Sequence, residues 1–235
     1  MPTREENAAA AVALVQTFVP KFERIPKAGS KIMALLGALL SVVGVRKFMT
    51  NFSTTLGYKA YLVEGHYTNI SVIFHEGLHA DQCKRYTRPL QGALYLLPQL
   101  FAILALIPCV VLLILANEHI VSWDWWPLAL VLLCGLPLPA YFRMKFEFDA
   151  YCVSMAVRHW CNNDVDDNYI NSRIRNFTTF AYYLMWPFHG FLQTRFLRKL
   201  EWIKSPKVVD DPYYAAIHLF LETRGLLAKK LPLSA

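Results

Sequence analysis

Residues 71–86 read SVIFHEGLHADQCKRY, and this stretch decides how the chain is interpreted. Apolar residues surround two histidines, and no proline interrupts the segment, so a buried helix is expected here. His75 and His79 are four residues apart, which on a helix projects both from one face about 6 Å apart. That spacing allows two imidazoles to bind one metal ion, with Glu76 beside them.

A third ligand has to come from elsewhere in the chain, because catalytic zinc sites use three protein ligands and keep one position open. The spacing HExxHxxGxxH is not met, since Arg85 stands where the third histidine would be. A carboxylate from a later helix is the other solution. Glu147, within the segment RMKFEFDAY at residues 143–151, is the best candidate. The sequence therefore predicts a His75, His79 and Glu147 site for Zn²⁺.

Other polar residues near these segments are candidates for supporting roles. Asp149 lies two residues after Glu147 and points to a different helix face, so it is expected either to accept a hydrogen bond from a ligand histidine or to replace Glu147 as ligand. Tyr151, Tyr183 and His189 are candidate donors to an oxyanion. The alternative interpretation treats the histidines as core residues and the two acids as partners of neighbouring cations.

Composition indicates a membrane as the first partner to test. Hydrophobic residues make up 55% of the 235 residues and charged ones 17%, and the mean hydropathy is +0.30. Soluble domains carry roughly 25% charged residues. The five cysteines form no CxxC pair, which argues against a disulfide framework or a cysteine zinc site and favours reduced thiols on a cytosol-facing chain.

Residues 89–142 contain no Lys or Arg, and they include two long uncharged runs, at 89–117 and 125–142. The first exceeds the length needed to cross a hydrocarbon core of about 30 Å. The two runs predict a transmembrane hairpin whose flanks, rich in Lys and Arg, lie on the cytoplasmic side. Such a hairpin returns Glu147 to the side on which His79 lies. The alternative is an apolar hairpin within one leaflet or buried in a larger assembly.

The remaining chain divides into segments around this hairpin. We expect N-terminal helices over residues 1–53, the first of them not a signal peptide and the second, at 32–45, interfacial or buried. A strand element and the histidine helix follow over 54–88, then the hairpin over 89–142. Residues 143–204 are expected to be mainly helical with a solvated loop at 162–168, and residues 205–235 to form a peripheral tail with an amphipathic helix near 213–227.

The net charge of +7 is spread over both ends of the chain rather than gathered in one patch. No signature of an RNA- or DNA-binding module accompanies it, so nucleic acid is not an expected partner. The expected partners are the lipid bilayer and a protein or peptide substrate.

Three features together resemble a family of small membrane-associated zincins of the gluzincin type, found among bacterial and phage proteins. They are the His75 motif followed by Gln82, the segment YFR at 141–143 leading to EFDAY at 147–151, and YLMWPF at 183–188. The resemblance covers residues 54–202. It implies that Glu147 is the third zinc ligand and that Glu76 is the general base for a zinc-activated water. Gluzincins place an Asp four residues after the ligand Glu, where this chain has Tyr151.

The expected fold is therefore mainly α, a minimal zincin-like helical domain with a short β element and an inserted transmembrane hairpin. The expected function is a membrane-bound zinc metallopeptidase with its active site on the cytoplasmic side. One alternative is a non-catalytic membrane-inserting protein, such as a phage virion component, with a structural metal site. A zinc hydrolase acting on another amide or on a lipid would use the same ligands.

Overall fold

The computed structural model describes residues 2–42, 47–117, 139–162, 165–179 and 185–228. Within these ranges the chain forms nine α-helices, two short 3₁₀ helices and one three-stranded sheet. The helices are α1 (Arg4–Phe18), α2 (Lys31–Val42), α3 (Phe48–Asn51), α4 (Ile70–Tyr86), α5 (Arg88–Asn117), α6 (Tyr141–Asn162), α7 (Asp167–Thr178), α8 (His189–Lys204) and α9 (Pro212–Thr223). The strands are β1 (Glu23–Pro26), β2 (Thr54–Leu56) and β3 (Lys59–Leu62). The expected mainly α fold with a short β element is confirmed.

Helix starts follow from short polar residues that cap free backbone N–H groups. Thr3 and Glu6 form a reciprocal capping box at α1. Asn69 accepts hydrogen bonds from two N–H groups at the start of α4 and Asp211 from two at the start of α9, while Asp166 accepts from one at the start of α7. The loop expected at 162–168 is shorter than predicted, because α6 extends to Asn162 and α7 begins at Asp167.

The sheet has the order β1, β3, β2. Strand β2 pairs antiparallel with β3 through a tight turn in which Gly57 adopts a φ of +65°, a conformation that glycine reaches without strain. Strand β1 pairs parallel with β3, from Glu23 opposite Lys59 to Pro26 opposite Leu62. The strand element predicted ahead of the histidine helix, within residues 54–88, is confirmed. Strand β1 was not predicted, because four residues ending in proline are too few to show an alternation of apolar and polar side chains.

The core forms around α4, which packs along α6 and is covered by α1 and by strands β2 and β3. Helix α6 is buried along most of its length, with Trp160, Phe146 and Met144 among its most enclosed side chains. This packing of α4 against α6 places the two candidate ligand segments side by side.

The last helix belongs to the core, which corrects the expectation of a peripheral C-terminal tail. Helix α9 packs against α1 and α6, and its Tyr213, Tyr214 and Ile217 are buried. The hydroxyl of Tyr213 donates to the backbone carbonyl of Phe74 at 2.9 Å. One face of α9 is thus buried inside the fold, while Leu219 on another face is exposed.

Helix α5 runs without interruption from Arg88 to Asn117 and covers the first of the two uncharged runs. Within the described ranges, no helix has both the length and the apolar character that a membrane crossing requires. Most of the second run, up to residue 138, lies outside the described residues. The transmembrane hairpin and the location of the protein in a membrane stay predictions.

Candidate metal centre

Three potential metal ligands converge between α4 and α6. His75 and His79 project from one face of α4, and Glu147 reaches them from α6. The Nε2 atom of His79 lies 3.7 Å from Oε1 of Glu147, and Nε2 of His75 lies 4.0 Å from Oε2. All three side chains are about nine-tenths buried. The structure thus brings together the three residues that the sequence predicts as ligands.

The distances fit a metal ion bound by two imidazoles and one carboxylate. One candidate ligand atom from each residue lies within 4.8 Å of the other two. Ligand bonds of about 2.1 Å in tetrahedral geometry would separate the donor atoms by about 3.4 Å. The side chains would need to close by no more than about 1.5 Å around an ion. The donor set is also chemically suitable, since imidazole and carboxylate both bind divalent transition metals.

The orientation of His79 is set by Gln82, one helical turn further along α4. Nδ1 of His79 lies 2.9 Å from Oε1 of Gln82, while Nε2 of Gln82 donates to the carbonyl of Phe146 at 3.2 Å. Because the amide nitrogen is used by Phe146, the amide oxygen faces His79 and must accept a proton from Nδ1. The lone pair of His79 is therefore on Nε2, directed at Glu147.

His75 has a similar support on its Nδ1 atom, which lies 3.2 Å from Oγ of Ser154 on α6. The ring of His75 also meets the ring edge of Tyr151 with a centroid distance of 5.0 Å. Burial is the main cause that lowers the pKa of His75, to about 3, and the neighbouring His79 adds to it against the attraction of Glu147. A histidine held neutral in this way is ready to bind a metal without first losing a proton.

Glu147 receives a hydrogen bond from outside the two ligand helices. The hydroxyl of Tyr95, on α5, donates to Oε1 of Glu147 at 2.5 Å, and the guanidinium of Arg143 lies 5.0 Å from the centre of the Tyr95 ring. Burial alone would raise the pKa of Glu147, but its electrostatic interactions with the His79 and His75 rings and the hydrogen bond from Tyr95 outweigh burial and lower the pKa. The carboxyl group is consequently kept ionised.

Glu76 is the fourth polar group of the centre and lies on the neighbouring side of α4. It is buried, and Oγ1 of Thr55 on β2 donates to its Oε2 atom at 2.7 Å. Burial raises the pKa of Glu76, against the opposing effects of His79 and the Thr55 hydrogen bond. A carboxylate whose pKa is raised is a better proton acceptor than an exposed one.

Strand β2 is held against Glu76 by a buried lysine. Nζ of Lys27 donates to the backbone carbonyls of Phe48 at 2.8 Å and Phe52 at 2.6 Å, immediately before β2 begins. Burial lowers the pKa of Lys27 to about 8, and the nearby charge of Glu76 acts in the opposite direction. These hydrogen bonds from Lys27 fix the position of the segment that leads into Thr55.

Gly77, between the ligand histidines and on the opposite face of α4, permits close packing behind the centre. A Cβ atom at this position would lie 2.8 Å from the hydroxyl of Tyr213 and 2.8 Å from both methyl groups of Val15. Helices α1 and α9 can therefore approach α4 from behind, which holds the histidine face towards α6.

The other predicted site residues lie in different surroundings. The carboxyl of Asp149 faces cations, chiefly Lys145, Lys199 and Arg195, while burial raises its pKa. Ser154 and Gln82 occupy the positions next to the histidine Nδ1 atoms that were expected for Asp149. The hydroxyl of Tyr151 accepts from Nδ2 of Asn176 at 2.9 Å. His189 is exposed at the first residue of α8, and Tyr183 lies outside the described residues.

Sequence reasoning missed Tyr95, Thr55 and Ser154 as partners of this centre. Tyr95 lies within an apolar run and is one of the few side chains there with a polar atom. That isolated polar atom was the one feature of the sequence that could have indicated a role for Tyr95. Thr55 and Ser154 had none, because short hydroxyl side chains occur throughout the chain.

The chain was compared with known proteins at three levels, and no family model, no curated protein and no solved structure matches it.

Proposed function

We propose that this protein is a zinc-dependent hydrolase that cleaves peptide bonds at a centre formed by His75, His79 and Glu147. The observation that supports it most is the convergence of these three buried side chains from two helices. The adjacent Glu76 supplies the acid–base group that hydrolysis needs. Zinc is proposed because two histidines and one glutamate are a ligand set of zinc peptidases.

Each residue of the centre has a defined task in this proposal. His75 and His79 present neutral Nε2 atoms, and Glu147 supplies the negative charge that balances the ion. When bound there, a zinc ion would polarise the carbonyl group of the substrate and acidify a water molecule. Glu76 would serve as the base that takes up the proton of the attacking water and gives it to the leaving amine, and Thr55 holds one oxygen of its carboxyl group.

The first experiment measures metal content by plasma mass spectrometry on the full-length chain purified in detergent. We expect about one zinc per chain in the wild type and loss of zinc in His79→Gln and in Glu147→Gln. Asp149→Asn is the matched control, since it removes a carboxylate two residues further along the same helix. Absence of metal from a folded wild type, or retention in Glu147→Gln, would contradict the proposed centre.

The catalytic part of the proposal is tested with Glu76→Gln. This variant should keep its zinc and its fold but lose hydrolysis of fluorescently labelled casein by a factor of roughly a thousand or more. Parallel assays on an acylated amide and on a phospholipid ester decide the substrate class. A wild type that binds zinc and cleaves none of these substrates would contradict the enzymatic assignment.

A structural metal site in a non-catalytic protein is the second candidate, and burial of the cluster favours it. The side chains of His75, His79 and Glu147 are only 12, 10 and 9% exposed, so the present conformation offers little access to a substrate. Under this alternative, removal of zinc with a chelator lowers the melting temperature, while Glu76→Gln changes no measurable property beyond stability.

A further inference from the structure

Helix α8 carries a regular stripe of side chains that the metal centre does not use. Phe188, immediately before the helix, is followed at alternating spacings of three and four by Phe191, Arg195, Arg198 and Trp202. This spacing places all five on one side of the helix. The helix buries a separate face, formed by Leu192, Phe196, Leu200 and Ile203. The first five residues are called the aromatic–basic stripe below.

The aromatic end of the stripe is exposed and continues onto α6. Phe188 is 56% exposed and Phe191 is 43% exposed. Both contact the ring of Trp186, at centroid distances of 5.4 and 5.5 Å, and Trp186 in turn lies 6.0 Å from the ring of Tyr141. Tyr141 is itself 49% exposed. Large aromatic side chains exposed in one contiguous group mark an interaction surface.

The other end of the stripe is basic. Arg195, Arg198 and Lys199 line an open groove of about 350 Å³ together with Phe148 and Trp202. The guanidinium of Arg195 lies over the rings of Phe148 and Phe191, and Nζ of Lys199 lies 3.3 Å from the centre of the Trp202 ring. The only acid on α8, Glu201, is paired with Lys204. Asp149 and Asp211, from neighbouring segments, face Lys199. Three cations against these two carboxylates leave the groove with a net positive charge.

We propose that the aromatic–basic stripe docks the protein onto a bilayer that contains anionic phospholipid. Exposed aromatic rings prefer the headgroup region, and arginine and lysine beside them bind lipid phosphates, so this surface complements such a membrane in both polarity and charge. The aromatic group also includes Tyr141, which directly follows the apolar segment 89–140 that contains no Lys or Arg. The inference does not depend on the metal centre.

The first test is flotation of the full-length chain, diluted from detergent, with vesicles of phosphatidylcholine alone or with about one third phosphatidylserine. Wild type should bind the phosphatidylserine vesicles more tightly, and Arg195→Gln/Arg198→Gln should lose roughly tenfold or more of that preference. Phe188→Ser/Phe191→Ser should weaken binding to both vesicles. Leu219→Ser is the matched control, because Leu219 is an equally exposed apolar residue, 59% exposed, on α9.

The second test asks whether the aromatic–basic stripe itself contacts lipid, independently of any lipid contact made by the apolar segment 89–140. Brominated phosphatidylcholine quenches tryptophan fluorescence on contact, and Trp186→Phe should remove a measurable part of the quenching seen in wild type. Circular dichroism checks that each variant is folded. The proposal would be overturned if the stripe variants floated as well as wild type, or if Trp186→Phe left the quenching unchanged. It would also be overturned if the variants changed dimerisation without lipid and left flotation unaffected.

Discussion

The hydroxyl group of Tyr95 donates a hydrogen bond to Oε1 of Glu147, although the two residues are 52 positions apart. Tyr95 lies on α5, the long helix that leaves directly after the histidine helix α4. The contact makes the beginning of α5 a part of the candidate metal centre. It fixes one oxygen of Glu147 and leaves Oε2 on the side of His75, 4.0 Å from its Nε2 atom.

Replacing Tyr95 with Phe removes this hydrogen bond and keeps the ring. We expect zinc affinity to fall by a factor of about 10 to 100, the usual effect of losing a hydrogen bond to a metal ligand. Competition with a chromophoric chelator measures this affinity, and the visible spectrum of the cobalt-substituted protein reports a change in ligand geometry.

Tyr151→Phe is the matched control for Tyr95→Phe. The Tyr151 ring packs on His75, but its hydroxyl binds Asn176 rather than a candidate ligand, so its removal should change zinc affinity less than threefold or so. Equal losses of affinity in the two variants would show that the hydrogen bond to Glu147 has no special role.

Gln82 is expected to keep His79 in the tautomer that binds metal. Gln82→Leu removes the acceptor of the Nδ1 proton, so that either nitrogen can carry it, and zinc should bind about 10 to 100 times more weakly. Gln91→Leu provides the control, since Gln91 donates to the backbone carbonyl of His79 and not to its ring. A loss of affinity confined to Gln91→Leu would contradict the assignment.

The stability of the metal-free protein should depend on pH through His75. Its pKa is lowered to about 3 in the folded protein and is near 6.5 when unfolded. Between these values only the unfolded chain binds the proton, so the free energy of unfolding falls as the pH decreases from 6.5 towards 3. The slope due to this residue approaches about 1.4 kcal/mol per pH unit, and above pH 6.5 its contribution is constant.

Urea unfolding in the presence of a chelator, at several pH values, measures that slope. His75→Gln should lack the part of the slope that belongs to His75, whereas His189→Gln, at an exposed position, should retain it. Parallel curves for wild type and His75→Gln would mean that the folded protein accommodates the protonated imidazole.

Gly77→Ala should destabilise the fold by about 1 to 3 kcal/mol, because the added methyl group meets Val15 and Tyr213 at 2.8 Å. The better helix propensity of alanine offsets at most about 1 kcal/mol of this. Gly190→Ala is the matched control on α8, where a Cβ atom meets nothing within 4 Å. Thermal unfolding should therefore show a lower melting temperature for Gly77→Ala alone, and equal values for the two variants would contradict the packing argument.

Local patterns in the sequence were sufficient for the helices and for the candidate ligands. The spacing of His75 and His79 predicts a shared helix face, and the apolar residues around them, without a proline, predict that the segment is helical. Both are short-range properties, because a helix relates residues three and four apart without help from the rest of the chain. The choice of Glu147 rested on chain order and chemistry, and the cluster agrees with it.

Long-range packing decided the rest. Only the contact of α4 with α6 gives Ser154 and Gln82 their partners, only the position of α5 brings Tyr95 to Glu147, and only strand β2 brings Thr55 to Glu76. Long-range packing also buries α9 against α1 and α6, so that this helix belongs to the core and not to a peripheral tail. The sequence by itself determined which residues could bind a metal, since that depends on residue type and helical period. The tertiary structure decided which hydrogen bonds orient them, since these join residues far apart in the chain whose meeting depends on how whole helices pack.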